Sequence, residues 1–95
     1  MNEQVLRWML KNGAELDDKD GMSTLPNVSV ILHLNTNHTK HILEGELRQC
    51  TVKLGESALH IRNRGLTCSL EVQGAKREGN KLTVITEDYS AVLYV

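Results

Sequence analysis

The segment formed by residues 65–73 alternates apolar and polar side chains without interruption. Side chains two residues apart in a β-strand point to the same face of a sheet, so this pattern predicts a strand with one buried face. Turn-forming residues bound the segment, with Asn63 and Gly65 at its start and Gly74 and Gly79 after it. We therefore predict a middle strand of an antiparallel sheet, with the C-terminal half of the chain arranged around it.

The length and composition of the chain predict one small domain, spanning residues 1–95. Apolar residues make up 40% of the 95 positions and charged residues 24%, which is enough for one core and an ordinary polar surface. Phenylalanine is absent and aromatic residues account for only 3%, so burial must come mainly from aliphatic side chains. With 11 basic and 12 acidic residues the net charge is -1, and no strong field attracts nucleic acid or an anionic membrane.

The sequence also predicts where in the cell the chain works. It contains no basic, apolar leader pattern and no run of about 20 apolar residues that could cross a bilayer. The two cysteines, Cys50 and Cys68, stand in apolar strand contexts, which is typical of small core residues in a reducing compartment. We expect a cytoplasmic protein that does not contact membranes.

The first 13 residues predict a helix that begins after Asn2 and stops at Gly13. Asn2 can cap the helix, and Gly13 suits a left-handed C-terminal cap. Trp8 falls at the edge of the predicted apolar stripe, whose members are Val5, Leu6, Met9 and Leu10. A helix this short must pack on something, and a sheet is the available partner. Residues 14–27 are then a polar connection.

Residues 28–95 predict antiparallel β-structure. The first strand covers residues 28–34, and the long run 42–54 changes the parity of its apolar positions near Arg48 and Gln49, which predicts a β-bulge or sharp bend. Short turns then separate further strands at 58–62, 65–73, 81–87 and 91–95. The predicted fold class is α+β. The N-terminal helix packs on a strongly bent, meander-like sheet of about five or six strands, either open or closed into a small barrel.

Residues that could carry catalysis or bind a metal do not form a recognisable pattern. His33, His38, His41 and His60 lack the spacing of a structural zinc site, and no Cys-x-x-Cys motif is present. The serines lack a nucleophile elbow, and no glycine-rich phosphate loop occurs. We predict no catalytic residues, no metal and no cofactor. A histidine site assembled by folding remains the minor alternative.

Two binding functions are left. Basic residues at two expected hairpin turns, Arg62 and Arg64 in one and Lys76 and Arg77 in the other, could contact nucleic acid, although such turns should lie at opposite ends of a meander. Protein binding is the favoured alternative because the last strand, residues 91–95, is apolar on both faces. We predict that this is an edge strand, which can pair with another chain unless the fold covers it.

Aliphatic and aromatic side chains on the expected solvent face define the predicted protein interface. Its residues are Ile31, Ile85, Val92 and Tyr94. Burial under the helix or by barrel closure is the competing explanation for these side chains. We predict a non-enzymatic interaction module of the regulator, inhibitor, antitoxin or immunity type, which binds another protein or pairs as an isologous homodimer. The alternative is a small nucleic-acid-associated β-barrel that uses Arg62 and Arg64.

Overall fold

The computed structural model describes residues 2–34, 45–87 and 89–95, which form one helix and eight strands. The elements are α1 (Glu3–Lys11), β1 (Glu15–Leu16), β2 (Ser23–Leu34), β3 (Gly45–Leu54), β4 (Ala58–Asn63), β5 (Leu66–Glu71), β6 (Gly74–Glu78), β7 (Lys81–Ile85) and β8 (Tyr89–Tyr94). Residues 35–44, which include His38, His41 and the start of the predicted run 42–54, lie outside the described residues.

All eight strands belong to one antiparallel sheet, and the predicted α+β class with an N-terminal helix on an antiparallel sheet is confirmed. Seven strands follow the order β5-β4-β3-β2-β8-β7-β6, and the two-residue β1 pairs with β2. The strand number exceeds the predicted five or six because β1 forms within the predicted polar connection, residues 14–27, which also contains the start of β2 at Ser23. β6 adds a further strand where a hairpin tip was expected. The sheet is open and not a barrel.

The C-terminal strand is not an edge strand, so this part of the prediction is wrong. β8 pairs with β2 on one side, where Val30 lies opposite Leu93, and with β7 on the other, where Leu82 lies opposite Leu93. A central position favours a strand that is apolar on both faces, because neighbouring strands cover both of its backbone edges and the core covers one face. The return of β8 to β2 also breaks the predicted meander.

The alternating segment 65–73 forms β5 and lies at an edge of the sheet, not in the middle. Its apolar face is only partly covered, since Leu70 is buried, Cys68 is half-buried and Leu66 is 40% exposed. Alternation correctly predicted a strand and its inward face. It carries no information about which strands lie alongside, and the prediction of a middle strand failed for that reason.

Two β-bulges set the register between β2 and β3. Between Val28 and Val30 the chain advances two residues on β2 but three on β3, from Cys50 to Leu47, so the extra residue lies at Arg48–Gln49 as predicted. A second bulge on β2, between Leu25 and Val28, offsets the first and restores the original register. Asn27 and Gln49 adopt positive φ angles of 59° and 58° at these two bulges. Bulges bend and twist a strand pair, which curves the sheet.

This curvature brings the two sheet edges together at one end. β5 and β6 are the opposite edge strands, yet only Val72 and Gln73 separate them in the chain. Three Cα–Cα steps join Glu71 to Gly74, so these residues lie at most about 11 Å apart. The sheet therefore has a concave inner face and a convex outer face.

Helix α1 packs on the inner face against β2, β6 and β7. The side-chain oxygen of Asn2 accepts hydrogen bonds from the backbone N–H groups of Gln4 and Val5, as the predicted N-cap requires. The buried stripe is rotated from the predicted one, because Trp8 is 1% exposed whereas Leu10 is 45% exposed. The larger indole displaces Leu10 from the contact with the sheet, since it removes more apolar area from water.

The core lies between α1 and the inner face of the curved sheet. Every strand from β2 to β8 except β6 contributes buried apolar side chains, which confirms the inward assignment of Leu59, Ile61, Leu82 and Val84. The buried hydrophobic residues are Val5, Trp8, Met9, Leu25, Val28, Val30, Leu32, Cys50, Val52, Leu54, Leu59, Ile61, Leu70, Leu82, Val84, Ala91 and Leu93.

Candidate interaction surface

The four side chains of the predicted protein interface lie together on the outer face of the sheet. Ile31 on β2 and Val92 on β8 are directly opposed in the register, and their chain neighbours Leu32 and Leu93 point into the core. Ile85 lies on β7 opposite Ser90, two residues along β8 from Val92. Because the sequence spaces these residues across three strands, only the strand order brings them together. We call Ile31, Ile85, Val92 and Tyr94 the outer-face patch.

The outer-face patch is accessible in the isolated chain. Ile85 is 48% exposed, and Ile31, Val92 and Tyr94 are half-buried. Helix α1 packs on the opposite face of the sheet, so it does not cover them. Scattered exposed aliphatic residues are ordinary on a protein surface, but adjacent ones on neighbouring strands form a continuous apolar area.

Tyr94 connects the patch to the charged residue Glu46 on β3 through a side-chain hydrogen bond. Its phenol Oη donates a hydrogen bond of 2.9 Å to Glu46 Oε1 on β3, so its side chain crosses β2 on the outer face. Arg48 Nε lies 3.5 Å from the same Glu46 oxygen. The hydrogen bond from Tyr94 and, secondarily, the charge of Arg48 lower the pKa of Glu46 below its ordinary value. The same hydrogen bond raises the pKa of Tyr94.

Replacing Tyr94 with phenylalanine is expected to raise the pKa of Glu46 towards its ordinary value. The phenol donor favours the ionised carboxylate, so its contribution to stability is present at neutral pH and is lost as pH falls through the lowered pKa of Glu46. NMR titration of the Glu46 carboxyl carbon measures the shift. Arg48→Gln is the matched control and should raise the pKa of Glu46 less. A larger rise in Arg48→Gln would contradict the assigned order of causes.

Charged side chains flank the outer-face patch on both sides. On β3 they are Glu46 and Arg48, and on β6 they are Lys76 and Glu78, whose side chains are 3.3 Å apart. The sequence pattern does not identify Glu46 as part of the site, because its position beside Ile31 depends on the β2–β3 register. The bulge predicted at Arg48–Gln49 is the signal from which that register could have been inferred.

The two predicted basic groups, Arg62 with Arg64 and Lys76 with Arg77, do not converge on one surface. Arg62 on β4 and Arg64 in the β4–β5 turn lie close together at one sheet edge, and both are exposed. Lys76 and Arg77 lie within β6 at the other edge, and not in a hairpin turn as predicted. Chain direction is the same in β5 and β6, so the β4–β5 turn lies far from the β6–β7 turn. This agrees with the expectation that the two basic groups are separated.

A polar groove lies along the contact between α1 and β6. It has a volume of about 500 Å³, and Lys11, Lys76 and Arg77 are among its lining residues. Arg77 Nε donates a 2.8 Å hydrogen bond to the side-chain oxygen of Gln4 on the helix. Lys76 alternates with Arg77 along β6, so its side chain lies on the outer face, where it pairs with Glu78.

The histidines and cysteines are not arranged for metal binding or nucleophilic chemistry in the part of the chain that the structure describes. No group of three potential metal ligands is present among these residues. His60 Nδ1 is 2.8 Å from Ser69 Oγ, and His33 is exposed on β2. Burial raises the pKa of both free thiols, Cys50 and Cys68, which disfavours the reactive thiolate.

The chain was also compared with known proteins. No family model, curated protein or solved structure matches it. Among the described residues, no helix has the length and apolar character needed to cross a bilayer. The outer-face patch and its charged flanks therefore have to be interpreted from their own chemistry.

Proposed function

We propose that this chain is a small non-enzymatic interaction protein that binds another protein surface through the outer-face patch. It would act by occupying that surface, as a regulator, inhibitor, antitoxin or immunity-type partner does. The observation that carries the proposal is the convergence of Ile31, Ile85 and Val92 on adjacent strands of the face opposite the helix. Of the apolar side chains of β8, Ala91 and Leu93 lie in the core, and Val92 and Tyr94 belong to this surface.

Physical chemistry favours such a surface as a binding site. Protein interfaces combine an apolar, aromatic-containing centre with a polar rim. Here the aliphatic residues and Tyr94 form the centre, and the rim contains both acidic and basic side chains. The patch belongs to the middle of the sheet, where hydrogen bonding on both strand edges keeps it rigid, so little ordering entropy opposes binding.

Nucleic-acid binding by Arg62 and Arg64 is the competing function, and the arrangement of charges favours it less. Neither the β6 basic residues nor a cluster of aromatic platforms accompanies these arginines. The proposal includes a cytoplasmic location, which is supported by the free thiols of Cys50 and Cys68, since disulfides are rare in reducing compartments.

Substitution of the patch is expected to abolish protein binding while leaving the fold intact. In the double variant Ile31→Thr and Ile85→Thr, the β-branched shape is kept but apolar area at the centre of the patch is lost. The control is Leu66→Thr, which removes an aliphatic side chain that is 40% exposed at the β5 edge. Each tagged variant is used to capture partners from nuclease-treated lysate of the source organism, read by mass spectrometry.

We expect a stoichiometric protein to be retained by the unmodified chain and by the Leu66 variant, and to be lost from the double variant. This protein can be a second copy of the chain or a different protein. Equal capture by all three proteins would contradict the proposed surface. Capture of nucleic acid that dissociates with salt and depends on Arg62 and Arg64 would instead establish the competing function.

A further inference from the structure

The strand register aligns five outer-face side chains in one row across the sheet. The row runs from β3 through β2, β8 and β7 to β6, and its members are Glu46, Ile31, Val92, Thr83 and Lys76. It begins with an acid, ends with a base, and has Val92 at its centre. With a spacing of about 4.8 Å between strands, each charged end lies roughly 10 Å from β8.

Each charged end of the row has a second charged residue of opposite sign beside it on the same strand. Arg48 lies on the β3 side beside Glu46, and Glu78 lies on the β6 side beside Lys76. The β3 flank is therefore acidic and then basic, whereas the β6 flank is basic and then acidic. A rotation of 180° about an axis parallel to β8 keeps the position along the strands and exchanges the two flanks.

We infer that the partner of the outer-face patch is a second copy of this chain, packed face to face about a two-fold axis parallel to β8 and passing over Val92. The axis places Glu46 of one copy on the side of Lys76 of the other, and Arg48 on the side of Glu78. Val92 then meets Val92, and Ile31 meets Thr83. This inference rests on the proposed function, since it names the partner of the same surface.

The convex shape of the outer face agrees with this arrangement. Contact is centred on β8, where Val92 meets its own copy, and the longer charged side chains at the flanks reach across the widening gap. Glu46, Arg48, Lys76 and Glu78 are paired within one copy at 3.5 Å and 3.3 Å. Such exposed pairs exchange partners at little cost, so the flanking charges set the orientation while apolar contact supplies affinity. The net charge of -1 gives little repulsion between two copies.

A residue on the two-fold axis meets its own copy, and this gives a specific test. Val92→Glu and Val92→Lys each place two like charges against one another, so each variant alone is expected to lose dimer affinity by at least about 100-fold. A 1:1 mixture of the two variants places opposite charges together and should form heterodimers. Thr67→Glu, on the exposed outer face of β5, is the control and should dimerise like the unmodified chain.

Native mass spectrometry and light scattering measure the masses, and circular dichroism confirms that each variant is folded. Heterodimers in the mixture, with monomers in each variant alone, would support the inference. The assigned axis would be overturned if each variant alone still formed dimers as the unmodified chain does. It would also be overturned if the mixture of the two variants stayed monomeric. If the unmodified chain is still monomeric at about 100 µM, a concentration on the order of the dissociation constant of a weak interface, self-pairing is overturned. Capture of a different protein that the Ile31 and Ile85 substitutions abolish would still support the proposed function.

Discussion

Replacing Trp8 with alanine is expected to lower the free energy of unfolding by about 3–5 kcal/mol, the range for removing a fully buried aromatic side chain. Trp8 is 1% exposed and packs in the core between α1 and the sheet. Small domains are stable by about 5–15 kcal/mol, so much of the stability of this chain would be lost. Urea unfolding followed by circular dichroism measures the change.

Two further variants serve as controls for this prediction. Leu10→Ala, on the same helix at 45% exposure, should cost less than about 1 kcal/mol. Trp8→Phe should cost at most about 2 kcal/mol, because it keeps a buried ring and removes an indole N–H that lacks an acceptor among the described residues. If Leu10→Ala destabilised the chain more than Trp8→Ala, the helix would present the face expected from its sequence stripe.

Replacing Leu93 with alanine is expected to lower the free energy of unfolding by about 2–5 kcal/mol. Leu93 is fully buried on the inner face of β8, opposite Val30 on one side and Leu82 on the other. Its loss leaves a cavity between three strands that are fixed by their ladders and cannot collapse readily. Thermal or urea unfolding reports the change directly.

The adjacent residue provides the matched control for the two faces of β8. Val92→Thr changes a half-buried side chain on the outer face to one of nearly the same shape, and should alter the unfolding free energy of the monomer by less than about 1 kcal/mol. Comparable losses from both substitutions would mean that both faces of β8 are buried within one chain. That outcome would remove the outer-face patch as an accessible surface.

Local sequence patterns predicted most of the elements and their inward faces. The cap at Asn2, the bulge near Gln49 and the buried positions Leu59 and Val84 are all indicated by the pattern of residues close in the chain. Strand order is decided by contacts between distant segments, and alternation does not encode it. For this reason β5 was placed in the middle of the sheet and β8 at its edge, and both assignments were wrong.

The candidate surface was predicted in its residues but not in its geometry. The sequence identifies the patch residues because each places a bulky side chain on a face that is expected to be solvent-exposed. They are Ile31, Ile85, Val92 and Tyr94. Their adjacency depends on β8 lying between β2 and β7, which no local pattern indicates. Glu46 entered the site only through the register of β3 and the phenol of Tyr94.

The accessibility of the patch methyl groups in the assembled state tests the central claim most directly. Methyl NMR with a soluble paramagnetic agent compares Ile31 and Ile85 with Leu66, which is exposed at the β5 edge. As protein concentration rises, or when a captured partner is added, Ile31 and Ile85 should become protected while Leu66 stays accessible. If the two isoleucines remain as accessible as Leu66 under every condition, the outer-face patch is not an interaction surface.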